Sequence, residues 1–152
     1  MNNILLDTNI LIHLVRGKAI AQKVKEYVST INDPQLFVSV VNIAEAESLM
    51  LLWNWSAEKT ESFKKIITRF IAIDIEQNNK ELLEAYTSID AFSQGKTPSP
   101  NGQLLNNTSR NMGKNDLWIA ATAYAMNAML LTTDGDFDHL QNTFIDLKKY
   151  AQ

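Results

Sequence analysis

The chain of 152 residues contains no cysteine, which excludes disulfides, thiolate zinc sites and cysteine nucleophiles together. Histidine is nearly as scarce. His13 and His139 stand far apart in sequence without a histidine neighbour, so they form no metal-binding pair and read as structural or surface residues. No apolar run approaches the roughly 20 residues that span a bilayer, and no basic region precedes the first apolar stretch. A cytoplasmic protein without membrane contact is the expectation. The formal net charge of −3 leaves no room for an extended basic surface, so any polyanion has to be met locally. What is present is a 45% hydrophobic chain, long enough to bury roughly two thirds of its unfolded surface, and a single domain over residues 1–152 is expected.

Ile4, Leu5 and Leu6 form a short apolar run that reads as a buried strand, and Asp7-Thr8-Asn9 stops it before helical residues 10–15. Residues 19–31 have helical spacing and end at Asn32-Asp33-Pro34. Residues 36–41, rich in β-branched and aromatic side chains, predict a second strand, followed by helices over 42–53 and 57–70. A weaker third strand over 71–75 leads to a helix over 77–92. The pattern then lapses: residues 93–113 hold three of the five glycines and two of the three prolines and show no clear period. Such a long loop is functional or disordered. A helix over 115–126, a strand over 129–133, a turn at Asp134-Gly135 and a possible edge strand over 143–147 complete the chain. Strands alternating with helices predict an α/β fold, a parallel sheet covered on both faces.

Four acids occupy corresponding places on that plan. Asp7 follows the first strand, Glu45 lies in the first turn of the helix behind the second, Asp116 opens the 115–126 helix, and Asp134 follows the strand 129–133. Each has an ordinary structural explanation: Asp7 as a helix cap, Asn42-x-x-Glu45 as a capping box, Asp116 at the positive end of a helix dipole, Asp134-Gly135 as a turn. Those explanations leave open why all four fall on one sheet edge, where the ligand crevice of a parallel α/β sheet lies. Carboxylates gathered there must protonate or be neutralised by a cation. Hard oxygen donors without histidine or cysteine suit Mg²⁺ or Mn²⁺, which substrate phosphates commonly complete. The chemistry implied is metal-assisted hydrolysis of phosphodiesters by an activated water.

The stretches LLDTNIL at 5–11, SVVNIAEAESL at 39–49, NDLWIAATA at 115–123 and LLTTDGDF at 130–137 together resemble, in order and over nearly the whole chain, the four motifs of a PIN-domain nuclease of the VapC toxin type. The resemblance implies a three-layer α/β/α sandwich with a central mostly parallel sheet. It implies Mg²⁺- or Mn²⁺-dependent cleavage of RNA, a cognate antitoxin that occludes the crevice, and pairing into a homodimer. The motif acids fall on Asp7, Glu45, Asp116 and Asp134, as catalytic metal ligands, with Asp136 as a further one; Thr8, Asn9, Asn115, and Thr132 or Thr133 are the orienting polar neighbours. Similar toxins reach the third motif through a shorter connection. The longer one here, 93–113, is then a candidate RNA-contacting flap with Arg110 and Lys114 as phosphate ligands, or an insertion of no consequence. In the apolar segment 48–55, Leu49, Met50, Leu52, Trp53 and Trp55 divide between core burial and subunit or antitoxin contact. Two other readings keep the same fold: an RNA-processing or decay nuclease without an antitoxin, and a catalytically silent RNA- or protein-binding module.

Overall fold

The structure, a computed structural model, describes residues 2–105 and 109–152. Its centre is a five-stranded sheet in the order β3-β2-β1-β4-β5, and every pairing is parallel. The strands are β1 (Asn3–Leu6), β2 (Gln35–Ser39), β3 (Ile71–Ile73), β4 (Met129–Thr132) and β5 (Leu147–Lys149). The three central strands carry continuous apolar stretches, residues 4–6, 36–38 and 129–131, because both faces are covered. Ile4, Leu6, Val38 and Leu131 point to one face, where they meet Ile10, Leu11, Val24, Ala46, Met50 and Phe63 of helices α1 (Thr8–Arg16), α2 (Ala19–Ser29), α3 (Val40–Leu52) and α4 (Ala57–Ile67). Leu5, Phe37 and Leu130 point to the other, where α5 (Lys80–Ser93), α6 (Lys114–Ala125) and a 3₁₀ helix (Gly135–Leu140) supply Leu82, Ile89, Phe92, Leu117, Ile119 and Phe137. The result is the expected three-layer α/β/α sandwich, with a sheet that is wholly rather than mostly parallel.

Three local departures from the expected elements have identifiable causes. The helix expected over 42–53 starts at Val40, because the cap is Ser39: its hydroxyl accepts from the Val41 N–H while the Asn42 side chain accepts from the Ser39 N–H. The capping box is therefore Ser39 with Asn42, and Glu45, three residues further along, takes no part in it. The edge strand expected over 143–147 begins at Leu147 instead. The N–H groups of Thr143, Phe144 and Ile145 all reach the Leu140 carbonyl, so the β-branched and aromatic run is wound into a turn that buries Phe144 and Ile145. The expected turn at Asp134-Gly135 opens that 3₁₀ helix, with Asp134 as its cap.

The segment 93–113 is docked over much of its described length. Ser99 is buried at 4% exposure, its N–H bonds the Gln103 carbonyl at 2.7 Å, and the Asn101 side chain reaches the Asn142 carbonyl at 3.2 Å. Asn106, Asn107 and Thr108 of the expected loop lie outside the described residues. No helix among the described residues is long and apolar enough to cross a membrane.

Candidate active site

The carboxyl ends of β1, β2 and β4 and the start of α6 share one edge of the sheet, and parallel pairing brings them there in register. Asp7 sits at the centre, 5% exposed, its N–H donating to the Leu131 carbonyl at 2.9 Å. One carboxylate oxygen accepts the Thr8 N–H at 2.8 Å and so caps α1; the other accepts the Thr132 hydroxyl at 2.6 Å. The cap and the site are thus the same side chain. Thr8 in turn donates its hydroxyl to Glu45 at 2.8 Å and accepts from the Asn42 side chain at 3.2 Å. Thr132 accepts the Asp134 N–H at 2.9 Å, and Asp134 accepts the Asp136 N–H at 2.8 Å. Two threonines therefore tie acids from three separate segments into one hydrogen-bonded chain.

Asp116 completes the set from the first turn of α6. One carboxylate oxygen each of Asp116, Asp134 and Asp136 lies within 4.8 Å of the others, the tightest acidic cluster among the described residues. Asp7 and Glu45 border that trio and are felt by it. Burial, with the charges of Asp7, Asp134, Glu45 and Asp136 added, pushes the Asp116 carboxyl up to about 7. Burial also lifts Asp7 to about 6; the bonds from Thr132 and Thr8 pull it down, and the charges of Glu45 and Asp134 push it up. No lysine or arginine forms a salt bridge with any of these five acids among the described residues. Such a donor set, all carboxylate oxygen with two members held partly protonated near neutrality, fits a hard divalent cation.

Of the expected polar neighbours, Thr8 and Thr132 do orient acids. Thr133 does not: its hydroxyl accepts from the Gln152 side chain at 2.9 Å, because the strand alternation that aims Thr132 at Asp7 turns Thr133 away. Asn9 and Asn115 make no side-chain hydrogen bond among the described residues. Asn115 is exposed and shares with Glu45, Val40, Val41, Ala44, Ser48 and Leu49 an open hollow of about 540 Å³ beside the acids. Arg110 lines a second hollow with Asp136, and Lys114 is exposed at the start of α6. Asn42, fully buried between the Ser39 backbone and Thr8, was not expected at the site; its spacing from Ser39 was the available signal.

Fold and acidic edge together define an open α/β domain with a crevice whose acids suit a divalent cation. The PIN domain family model matches residues 4–142, and the chain belongs to that family. No curated protein matches it by sequence. Among solved structures, the fold is similar to VapBC2 from Rickettsia felis bound to a DNA fragment from their promoter, at 17% identity and a TM-score of 0.71, over 97% of this chain and 98% of that one. VapBC-1 from nontypeable Haemophilus influenzae matches at 23% identity and a TM-score of 0.66, over 97% of both chains. A toxin-antitoxin complex from Klebsiella pneumoniae matches at 19% identity and a TM-score of 0.66, over 98% of this chain and 99% of that one.

Proposed function

We infer that this PIN domain is the ribonuclease toxin of a toxin–antitoxin pair, of the VapC type, cleaving RNA phosphodiesters with Mg²⁺ or Mn²⁺. The observation that carries the inference is the convergence of Asp7, Glu45, Asp116, Asp134 and Asp136 on one sheet edge, with no salt bridge to a lysine or arginine among the described residues. Asp7, Glu45, Asp116 and Asp134 would hold the cation, with Asp136 as a further ligand. A bound divalent ion supplies there a more acidic water and neutralisation of charge on the phosphodiester oxygens. The chain's own groups arrange that site: Thr132 and the Thr8 N–H fix the two oxygens of Asp7, Thr8 fixes Glu45, and the Asp136 N–H fixes Asp134. The set includes no side-chain nucleophile, so water is the attacking group.

The partners proposed are an RNA substrate, a cognate antitoxin and a second copy of the chain. The toxin–antitoxin complexes whose fold this chain shares support the second. At the end of α3, Leu51 is 84% exposed and Leu52 75%, with Trp53 also exposed beside them, which supports a protein contact there. Met50 is buried and Leu49 and Trp55 are half-buried, so the apolar segment does divide between core and surface.

The deciding test is cleavage of total RNA by purified protein in Mg²⁺ or Mn²⁺ against EDTA, beside Asp7→Asn. Discrete metal-dependent fragments that disappear in the variant are expected. Equal inertness of both proteins in both metals, with no metal uptake by calorimetry, would sink the proposal.

A further inference from the structure

Residues 109–112 and Asp136 line an open hollow of about 320 Å³, and Arg110 is exposed at it. Asp136 is the exposed member of the acidic trio, so this hollow adjoins the crevice. The two opposite charges share it without pairing: the one salt bridge among the described residues is Lys149 with Asp138. An arginine lining the same hollow as one member of an acidic cluster, and bonded to none of them, suits an anion that spans the two.

The backbone of Arg110 is fixed from two directions. Its N–H donates to the carbonyl of Ser93, the last residue of α5 and fully buried. The Ser93 hydroxyl lies 2.7 Å from Nε2 of His139 in the 3₁₀ helix, and the His139 ring stands nearly parallel to Phe92, centroids 6.3 Å apart. Met112, two residues on, is buried with its sulfur 3.3 Å from the same hydroxyl. The backbone that carries Arg110 is thereby held in place, while its side chain stays exposed toward the hollow's solvent side.

We propose that Arg110 seats the phosphate next to the scissile one on a single-stranded RNA, with Ser93 and His139 as positioning residues that hold it beside Asp136. This rests on the metal-dependent nuclease reading and adds a substrate contact to it. An unpaired strand is the class that fits, since its backbone can bend to put one phosphate at the acids and its neighbour at the guanidinium.

The test uses a fluorescein-labelled single-stranded RNA 12-mer of mixed sequence. Binding is read by anisotropy in an Asp7→Asn background and cleavage by steady-state kinetics in Mn²⁺ with Asp7 intact. Arg110→Ala should raise Kd and KM by about 10-fold with kcat within about 2-fold, and reduce the slope of log Kd against log salt by about 0.7. Arg110→Lys should recover part of the affinity. His139→Phe keeps a ring over Phe92 but loses the bond to Ser93; it should raise KM by about 3-fold alone and by nothing further in the Arg110→Ala background, a non-additivity that a merely structural role would not produce. Unchanged Kd and KM in Arg110→Ala, with the parent cleaving normally, would overturn the seat and leave the nuclease standing. So would a shift in half-saturating Mn²⁺ without a change in RNA affinity, which would make Arg110 a neutraliser of Asp136. Arg110-dependent binding with no cleavage by any form would refute the nuclease and, with it, a seat next to a scissile phosphate, leaving Arg110 as an RNA contact only; neither binding nor cleavage would refute both.

Discussion

The 3₁₀ helix carries two aspartates, two residues apart, with opposite fates. Asp138 is met by Lys149 of β5 through both carboxylate oxygens, at 2.9 and 2.7 Å, and both partners are about half exposed. Asp136 faces Asp116 and Asp134, and no lysine or arginine side chain pairs with it among the described residues. At the first position the protein supplies a neutralising charge from its own chain; at the second, among the described residues, it forms no such pair. That asymmetry, more than the number of acids, makes the crevice the candidate site.

The sharpest way to break the comparison is to amputate charge on each side of it. Asp116→Asn should reduce RNA cleavage by on the order of 10²- to 10³-fold, whereas Asp138→Asn should leave initial rates within about 2-fold. Similar losses in both would erase the distinction.

Titration sharpens it next. Asp7 and Asp116 have folded values of about 6 and about 7 against an ordinary 3.8, so their favourable contribution to stability is present below about pH 4 and is lost as pH rises through 6 to 7. His13 and His139, both held below their ordinary value chiefly by burial, act with the opposite sign. The informative quantity is therefore the difference between wild type and Asp7→Asn. Metal-free, the variant should gain on the order of 2 kcal/mol relative to wild type between pH 4 and pH 8, and Mn²⁺ at pH 8 should close that gap by stabilising wild type alone. Thermal melts at both pH values, with and without the ion, measure it.

Thr132→Val removes a bond that holds Asp7 down and leaves the Asp134 N–H without its partner. A loss of about 1–3 kcal/mol in denaturant unfolding is expected, with the acid limb of the cleavage profile moving to higher pH as Asp7 rises further. The smallest effect belongs to the paired side: Lys149→Gln should cost less than about 1 kcal/mol, since exposed ion pairs contribute little. A larger loss would mean that the pair anchors β5.

Much of this was legible in the letters because it rests on local patterning. Apolar runs bounded by turn residues marked four of the five strands, and alternation of strand and helix is enough to require a parallel sheet covered on both faces. The acids were legible for the same reason, since Asp7, Asp116 and Asp134 stand at element boundaries that patterning locates. Harder were features whose cause lies across the sheet. Thr133 looked as suitable as Thr132 until strand alternation aimed one at Asp7 and the other at Gln152. The run at 143–147 looked like a strand because burial in a turn selects the same residue types as burial in a sheet. Asn42 gave a cap in either reading, but only the true start of α3 at Val40 puts its side chain on Ser39 and frees Glu45 for Thr8.

By itself, then, the order of residues determined the layer architecture and which carboxylates reach the carboxyl edge, because strand direction and helix starts follow from neighbours within a few positions. Only the tertiary structure decided which of those carboxylates crowd one another, which threonines hold them, and that Arg110 lies beside Asp136 without pairing to it. Those relations join residues as many as 125 positions apart, and their electrostatics depend on burial that no local pattern encodes.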